Sequence, residues 1–222
     1  MEEPTPKDVL EAGAKALFGP VYDLVMKLTG PAAEEYGLMW AESVRMRRTK
    51  RLVNGLTKTK RMVEEAGFEP QIVPDKLLLP IFEGMSVEDD ESLQAMWAAL
   101  LANASSPENA EKVRPGFIAI LKQMTRDEGR LLNWIFDQQG HPAVRISALV
   151  VQHSCETTPS EALPRSSSDE GSSELGVCLN GLEASFLIQM HDFKELSEPH
   201  YALTARGYAF VTACRPPARR PK

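Results

Sequence analysis

Residues 182–188, Leu182-Glu183-Ala184-Ser185-Phe186-Leu187-Ile188, and 201–211, Tyr201-Ala202-Leu203-Thr204-Ala205-Arg206-Gly207-Tyr208-Ala209-Phe210-Val211, decide how the chain is read. Leu175, Leu179 and Leu182 recur at helical spacing and make one apolar stripe. Phe186-Leu187-Ile188 reads as a strand, His191 to Pro199 as a polar turn, and Tyr201-Ala202-Leu203 as the returning strand. Thr204 can cap a last helix through Tyr208, Val211 and Cys214, which Pro216-Pro217 closes. Helix, strand, long turn, strand and helix in this order predict a winged-helix-like α+β part with a small β-hairpin. Its first helix begins at Thr125-Arg126-Asp127-Glu128, a capping box in which the hydroxyl and the acid satisfy each other's backbone donors.

Working upstream from that helix start, the pattern becomes almost wholly helical. Leu131, Leu132, Ile135 and Phe136 supply the buried face of the capping-box helix, and Gly140-His141-Pro142 stops it. Ala143 to Val151 fits a strand or a short helix, and periodicity does not separate the two. Thr157 to Ser173 holds six serines, two prolines and two threonines, which predicts a mobile loop. Leu10, Ala14, Leu17, Val21, Leu24, Val25 and Leu28 outline a first amphipathic helix after Thr5-Pro6, with a kink at Gly19-Pro20 and an end at Gly30-Pro31. From Ala32 to Ala66 there is no proline, and Gly67 stands where a helix C-terminus prefers glycine. One long helix is expected there, or two with a break near Gly55, with Trp40, Val44, Leu52, Leu56 and Val63 on the inner face. A short apolar helix around Lys76 to Phe82 should be interrupted at Pro80. Ser86, with an acid three residues on, should cap the helix carrying Leu93, Met96, Trp97, Leu100 and Leu101. Asn103 to Glu108 should end that helix, and Phe117 to Met124 should form another short one.

The fold class expected is therefore mostly α. A helical region over 1–115 is followed by the winged-helix-like part over 116–215, with the mobile loop at 157–173, and a basic tail over 216–222. At 222 residues, 43% hydrophobic and 25% charged, the chain can build one large domain or two small ones. No apolar run nears the roughly 20 residues needed to cross a bilayer. Met1-Glu2-Glu3-Pro4 is acidic where a secretion signal is basic, so a cytoplasmic location is expected. Cys155, Cys178 and Cys214 have no C-x-x-C spacing and read as small apolar residues with no disulfide.

Charge is unevenly placed along the sequence. The net charge of −6 hides a basic island, Arg45, Arg47, Arg48, Lys50, Arg51, Lys58, Lys60 and Arg61, with no acid between residues 43 and 63. Those eight cations are the candidate polyanion-binding residues, with Arg47, Arg51, Lys58 and Arg61 on one side of a helix. The alternative is a solvated face balanced by the acidic segments on either side.

Catalytic and cofactor signatures are missing: no G-x-S-x-G, no H-E-x-x-H, no phosphate loop and no dinucleotide fingerprint. Glu88-Asp89-Asp90-Glu91 lacks calcium-loop spacing and reads as the acidic first turn of a helix. His153, Cys155, Cys178, His191 and His200 match no zinc spacing. No catalytic, cofactor or metal residue is assigned, and a non-enzymatic role with no small-molecule substrate is expected.

Three sets of residues resemble the bacterial abortive-infection alpha family. They are Trp97-Ala98-Ala99-Leu100-Leu101-Ala102, then Pro115-Gly116-Phe117-Ile118 with Thr125-Arg126-Asp127-Glu128, and the two segments quoted at the outset. The resemblance spans about Leu10 to Cys214 and rests on packing and turn patterns. It implies a role in phage defence and brings no active-site residue with it.

Three kinds of partner follow. A protein, either a second copy or a phage or host factor, is the first expectation. Nucleic acid could bind the basic island, in a winged-helix regulator. An anionic membrane surface could meet the island and the amphipathic first helix. The candidate reading segment Ser172 to Ser185 has Glu174 and Glu183 and no lysine or arginine, which disfavours DNA there.

Overall fold

The computed structural model describes Leu24, Lys27 and residues 46–138, 144–145, 170–191 and 200–219. Of the expected first helix, Leu24 and Lys27 are helical, Leu24 buried and Lys27 exposed; its Gly-Pro kink and end lie outside the described residues, as do 32–45. The chain divides into two compact units, Met1–Lys122 with Ala213–Lys222, and Gln123–Thr212.

In the first unit, α1 (Met46–Ala66) runs unbroken through Gly55. The glycine marks no break because it serves packing: a Cβ there would collide with the Met85 side chain of α2 (Asp75–Val87). Leu52, Leu56 and Val63 are buried as their spacing requires, joined by Met62 and Ala66. Gly67 ends the helix at φ 74°, its N–H donating to Val63 O at 3.0 Å, and glycine takes that left-handed backbone without a Cβ penalty.

The next helix corrects two expectations. Pro80 does not interrupt α2, which continues to Val87 and buries Leu78, Ile81, Phe82 and Met85 on one side. Proline removes one backbone bond, and burial of that stripe outweighs the loss. Ser86 is accordingly the penultimate residue of α2, its hydroxyl donating to Glu83 O at 2.8 Å, and it caps nothing. Asp90 caps α3 (Glu91–Ala104), accepting from Ser92 N at 2.9 Å and Leu93 N at 3.0 Å. Gly84 lies against the Trp97 ring so closely that a Cβ would overlap it. Ala98, Ala99 and Ala102 let α3 approach Met62, Val63, Ala66 and Phe68. A short 3₁₀ turn (Ala110–Lys112) and α4 (Pro115–Gln123) complete this stretch.

The second unit opens with the expected capping box on α5 (Arg126–Asp137): Glu128 N donates to Thr125 Oγ1 at 3.3 Å and Thr125 N to Glu128 Oε2 at 2.7 Å. Then come β1 (Val144–Arg145), α6 (Glu170–Ala184), β2 (Ile188–His191), β3 (His200–Leu203) and α7 (Ala205–Ala213). Both strand pairs are antiparallel in the order β1-β3-β2, with Val144 opposite Tyr201 and Ile188 opposite Leu203. The chain is thus mostly helical with a small antiparallel sheet at its C-terminal part. Leu175, Leu179 and Leu182 are buried on one stripe of α6. Because α6 starts at Glu170, residues 170–173 of the expected loop are helical, while 157–169 lie outside the described residues. The strand expected from Phe186 begins at Ile188 instead, because Phe186 has φ 56° and turns the chain out of the helix. Thr204 caps α7 as expected, accepting from Gly207 N at 2.9 Å. A Cβ on Gly207 would strike Leu187 O, so glycine is what brings α7 onto the strand.

Candidate functional site

The basic island occupies α1, and most of what is described of it is turned toward the protein's own acids. Arg51 Nη1 donates to Val87 O at 3.1 Å, and Arg51 Nη2 to Asp89 Oδ2 at 3.1 Å. One guanidinium therefore covers an open carbonyl at the end of α2 and neutralises the acid beyond it. Lys58 Nζ lies 3.4 Å from Glu91 O and 3.5 Å from its carboxylate. Lys60 and Arg61 pair one turn along α1 with Glu64 at 4.0 Å and Glu65 at 3.8 Å. Gln94 adds a bond to Arg51 O at 3.1 Å. Arg48 and Lys50 are exposed and make no ion pair with any described residue. Arg45 and the side chain of Arg47 lie outside the described residues.

Every acid of Glu88-Asp89-Asp90-Glu91 has a structural role in the same place. Glu88 Oε1 accepts from the backbone N–H groups of Asp89 and Asp90, both at 3.0 Å. Asp89 meets Arg51, Asp90 caps α3 and Glu91 meets Lys58. Among the described residues no group of three or more His, Cys, Asp and Glu is placed to hold a metal ion. His141 and His153, with Cys155, are outside the described residues, and of His191 and His200 the structure describes the backbone alone, paired across β2 and β3.

The second unit presents a different face. Along α6, Glu174, Val177, Asn180 and Ala184 are exposed, and none carries positive charge. Phe186 follows at 67% exposure, against 68% for Val177, 52% for Met190 on β2 and 51% for Tyr208 on α7. The Tyr208 ring lies 5.3 Å from that of Phe136 on α5. Glu183 is turned to its own chain, accepting from Met190 N at 3.2 Å.

A family model described as abortive infection alpha matches residues 44–214 of the 222. The chain belongs to the abortive infection alpha family. No curated protein and no solved structure matches it. Both faces just described lie within the span that defines an abortive infection alpha protein here, and the Leu10 to Leu28 helix lies before it.

The cysteines of this abortive infection alpha chain are not reactive thiols where they are described. Cys178 and Cys214 are free and buried. Burial, with Glu128, Asp127 and Glu174 adding negative potential, pushes the Cys178 thiol from 9.0 to about 11. Burial alone pushes that of Cys214 up as well. The described helices include none long and apolar enough to cross a membrane.

Two features escaped the sequence reading. Asn103 is buried and its Nδ2 lies 3.1 Å from Ala99 O, 3.0 Å from Ala213 O and 2.8 Å from Arg215 O, while its Oδ1 accepts from Asn109 Nδ2 at 3.0 Å. Phe186 sits at the C-terminus of α6 where glycine is usual. The pair Leu182 and Leu187, buried on either side of that turn, was the available signal, because this spacing of apolar residues brackets a left-handed helix end.

Proposed function

We propose that the protein serves abortive-infection phage defence by macromolecular contact rather than catalysis, from the cytoplasm, through a winged-helix-like second unit that binds protein. The element order from α5 to α7 and the strand order β1-β3-β2 support the winged-helix likeness. One observation carries the choice of partner: the exposed side of α6, where such a fold would read DNA, holds Glu174, Val177, Asn180 and Ala184 and then Phe186, and no cation. Aromatic and aliphatic side chains held in solvent are anchors for protein, whereas phosphate contact requires positive charge.

The test is phage plating on cells carrying variants that fold. Phe186→Gly and Val177→Asp should abolish protection, while alanine at His141, His153, His191 or His200 should leave it intact. Loss of protection at one histidine with unchanged thermal stability would point to chemistry instead.

The exposure of Arg48 and Lys50 favours a second reading, binding of nucleic acid or anionic lipid by the first turns of α1. Because Arg51, Lys58, Lys60 and Arg61 are paired internally, only Arg45, Arg47, Arg48 and Lys50 remain for phosphates. The salt slope of duplex DNA binding should then be no steeper than about −4, at roughly 0.9 per contact. Reversal of Arg48 and Lys50 to glutamate should remove such binding, and Asn180→Ala should not.

A further inference from the structure

The end of α6 is built for glycine and carries phenylalanine. Leu187 N donates to Leu182 O at 3.0 Å and Phe186 N to Glu183 O at 2.8 Å, the two bonds of a Schellman turn with Phe186 at its left-handed position. Leu182 and Leu187 are buried and make the apolar contact such a turn requires. Thr204 fixes the turn by donating its hydroxyl to Phe186 O at 2.6 Å. Phe186 is the one described non-glycine residue with positive φ, and an aromatic side chain gains nothing there from the fold, being mostly in solvent. Gly67 does the same task at the end of α1 without strain. A strained backbone that holds an aromatic ring out in water is explained by what the ring meets.

We propose that the Phe186 face is a self-association surface, occupied by the Arg48 and Lys50 end of α1 from a second copy of this chain. The proposal rests on the protein-contact reading and names its partner. Charge complementarity selects the occupant. The exposed flank of the face is acidic, with Glu174 on α6 and Asp127 on the first turn of α5, both close enough to Cys178 to raise its thiol. On the first unit Arg48 and Lys50 are the described cations of α1 without an ion pair to a described residue, so they are available to those acids. Two different patches meet, so the contact is heterologous, and each copy offers one of each.

Sedimentation velocity on the full chain tests this. The wild-type weight-average mass should rise with concentration through a series of sizes at about 50 mM salt and fall as salt screens the charges. Phe186→Gly should weaken association by about thirtyfold or more, as loss of an interface anchor does, with a melting temperature no lower than wild type. Phe186→Tyr should retain it. Arg48→Ala with Lys50→Ala should also abolish it. Mixing that double variant with Phe186→Gly should give a capped one-to-one dimer, since one supplies the face and the other the basic end. A wild-type chain that stays monomeric, or a double variant that associates like wild type, overturns the proposal. If Phe186→Gly loses phage protection while wild type is monomeric, protein contact stands and the second copy falls. If that variant keeps both protection and association, both readings fall.

Discussion

In the first unit Trp97, Leu100 and Leu101 are sealed between helices, and each cation of α1 from Arg51 onward meets an acid of the same unit. In the second, Val177, Phe186, Met190 and Tyr208 stand in solvent, and the helix end that holds Phe186 is conformationally costly. Side chains of the first unit are directed inward even where the sequence shows a dense block of charge. In the second, a poorly charged helix keeps apolar groups outside. The contrast teaches that the most conspicuous charge in a sequence need not be the surface that meets a partner.

The comparison breaks most readily in the core of the first unit. Trp97→Ala should destabilise the fold by about 3–5 kcal/mol, because a fully buried ring leaves a cavity that the close contact with Gly84 cannot refill. Val177→Ala should change stability by under about 0.5 kcal/mol, as exposed positions do. Urea denaturation of the two variants reads both, and a large effect at Val177 would contradict its solvent-facing role. Asn103→Leu should cost about 2–3 kcal/mol, since the carbonyls of Ala213 and Arg215 lose their donor. Faster proteolysis after Thr212 in that variant would show the same loss locally.

A third test uses pH. The folded state holds the Cys178 proton up to about 11 against 9.0 for an ordinary thiol. Its contribution to stability is complete below pH 9 and is lost as pH rises through about 11, because only the unfolded thiol ionises in that window. Stability measured from pH 8 to 11 should decline less in Cys178→Ala, and iodoacetamide should modify Cys178 at neutral pH only after unfolding. The smallest effect belongs to the island: Arg51→Ala should cost about 1 kcal/mol or less, diminishing in salt, because Asp89 is largely exposed. A much larger cost would mean that Arg51 is needed to close the turn between α2 and α3.

Local chemistry made much of this legible in advance. Thr125 with Glu128, Gly67 and Thr204 each satisfy backbone groups within a few residues, so the helix ends they set can be read from neighbours alone. Ser86 and Asp90 are both good caps, and α2 decided between them by running on through Pro80 under the pull of its buried stripe. Gly55 reads locally as a weak point, and its partner Met85 is thirty residues away. The pairing of Arg51 and Lys58 with Asp89 and Glu91 is equally remote, so the island showed its charge in sequence but not its neutralisation. Phe186 was misread because β-propensity favours phenylalanine, while two backbone bonds and Thr204 hold it in a turn.

The bonds from Asn103 to residues 213 and 215 also set an order of events during synthesis. The first unit is discontinuous, with all of Gln123–Thr212 emerging between its two parts. A ribosome that has released α1 to α4 has not yet released the carbonyls that Asn103 serves. Until they arrive, that amide must stay hydrated within a helix whose other inward residues are apolar. The helical unit is therefore translated first and completed last, and the contact-bearing unit is fully synthesised before its scaffold can close.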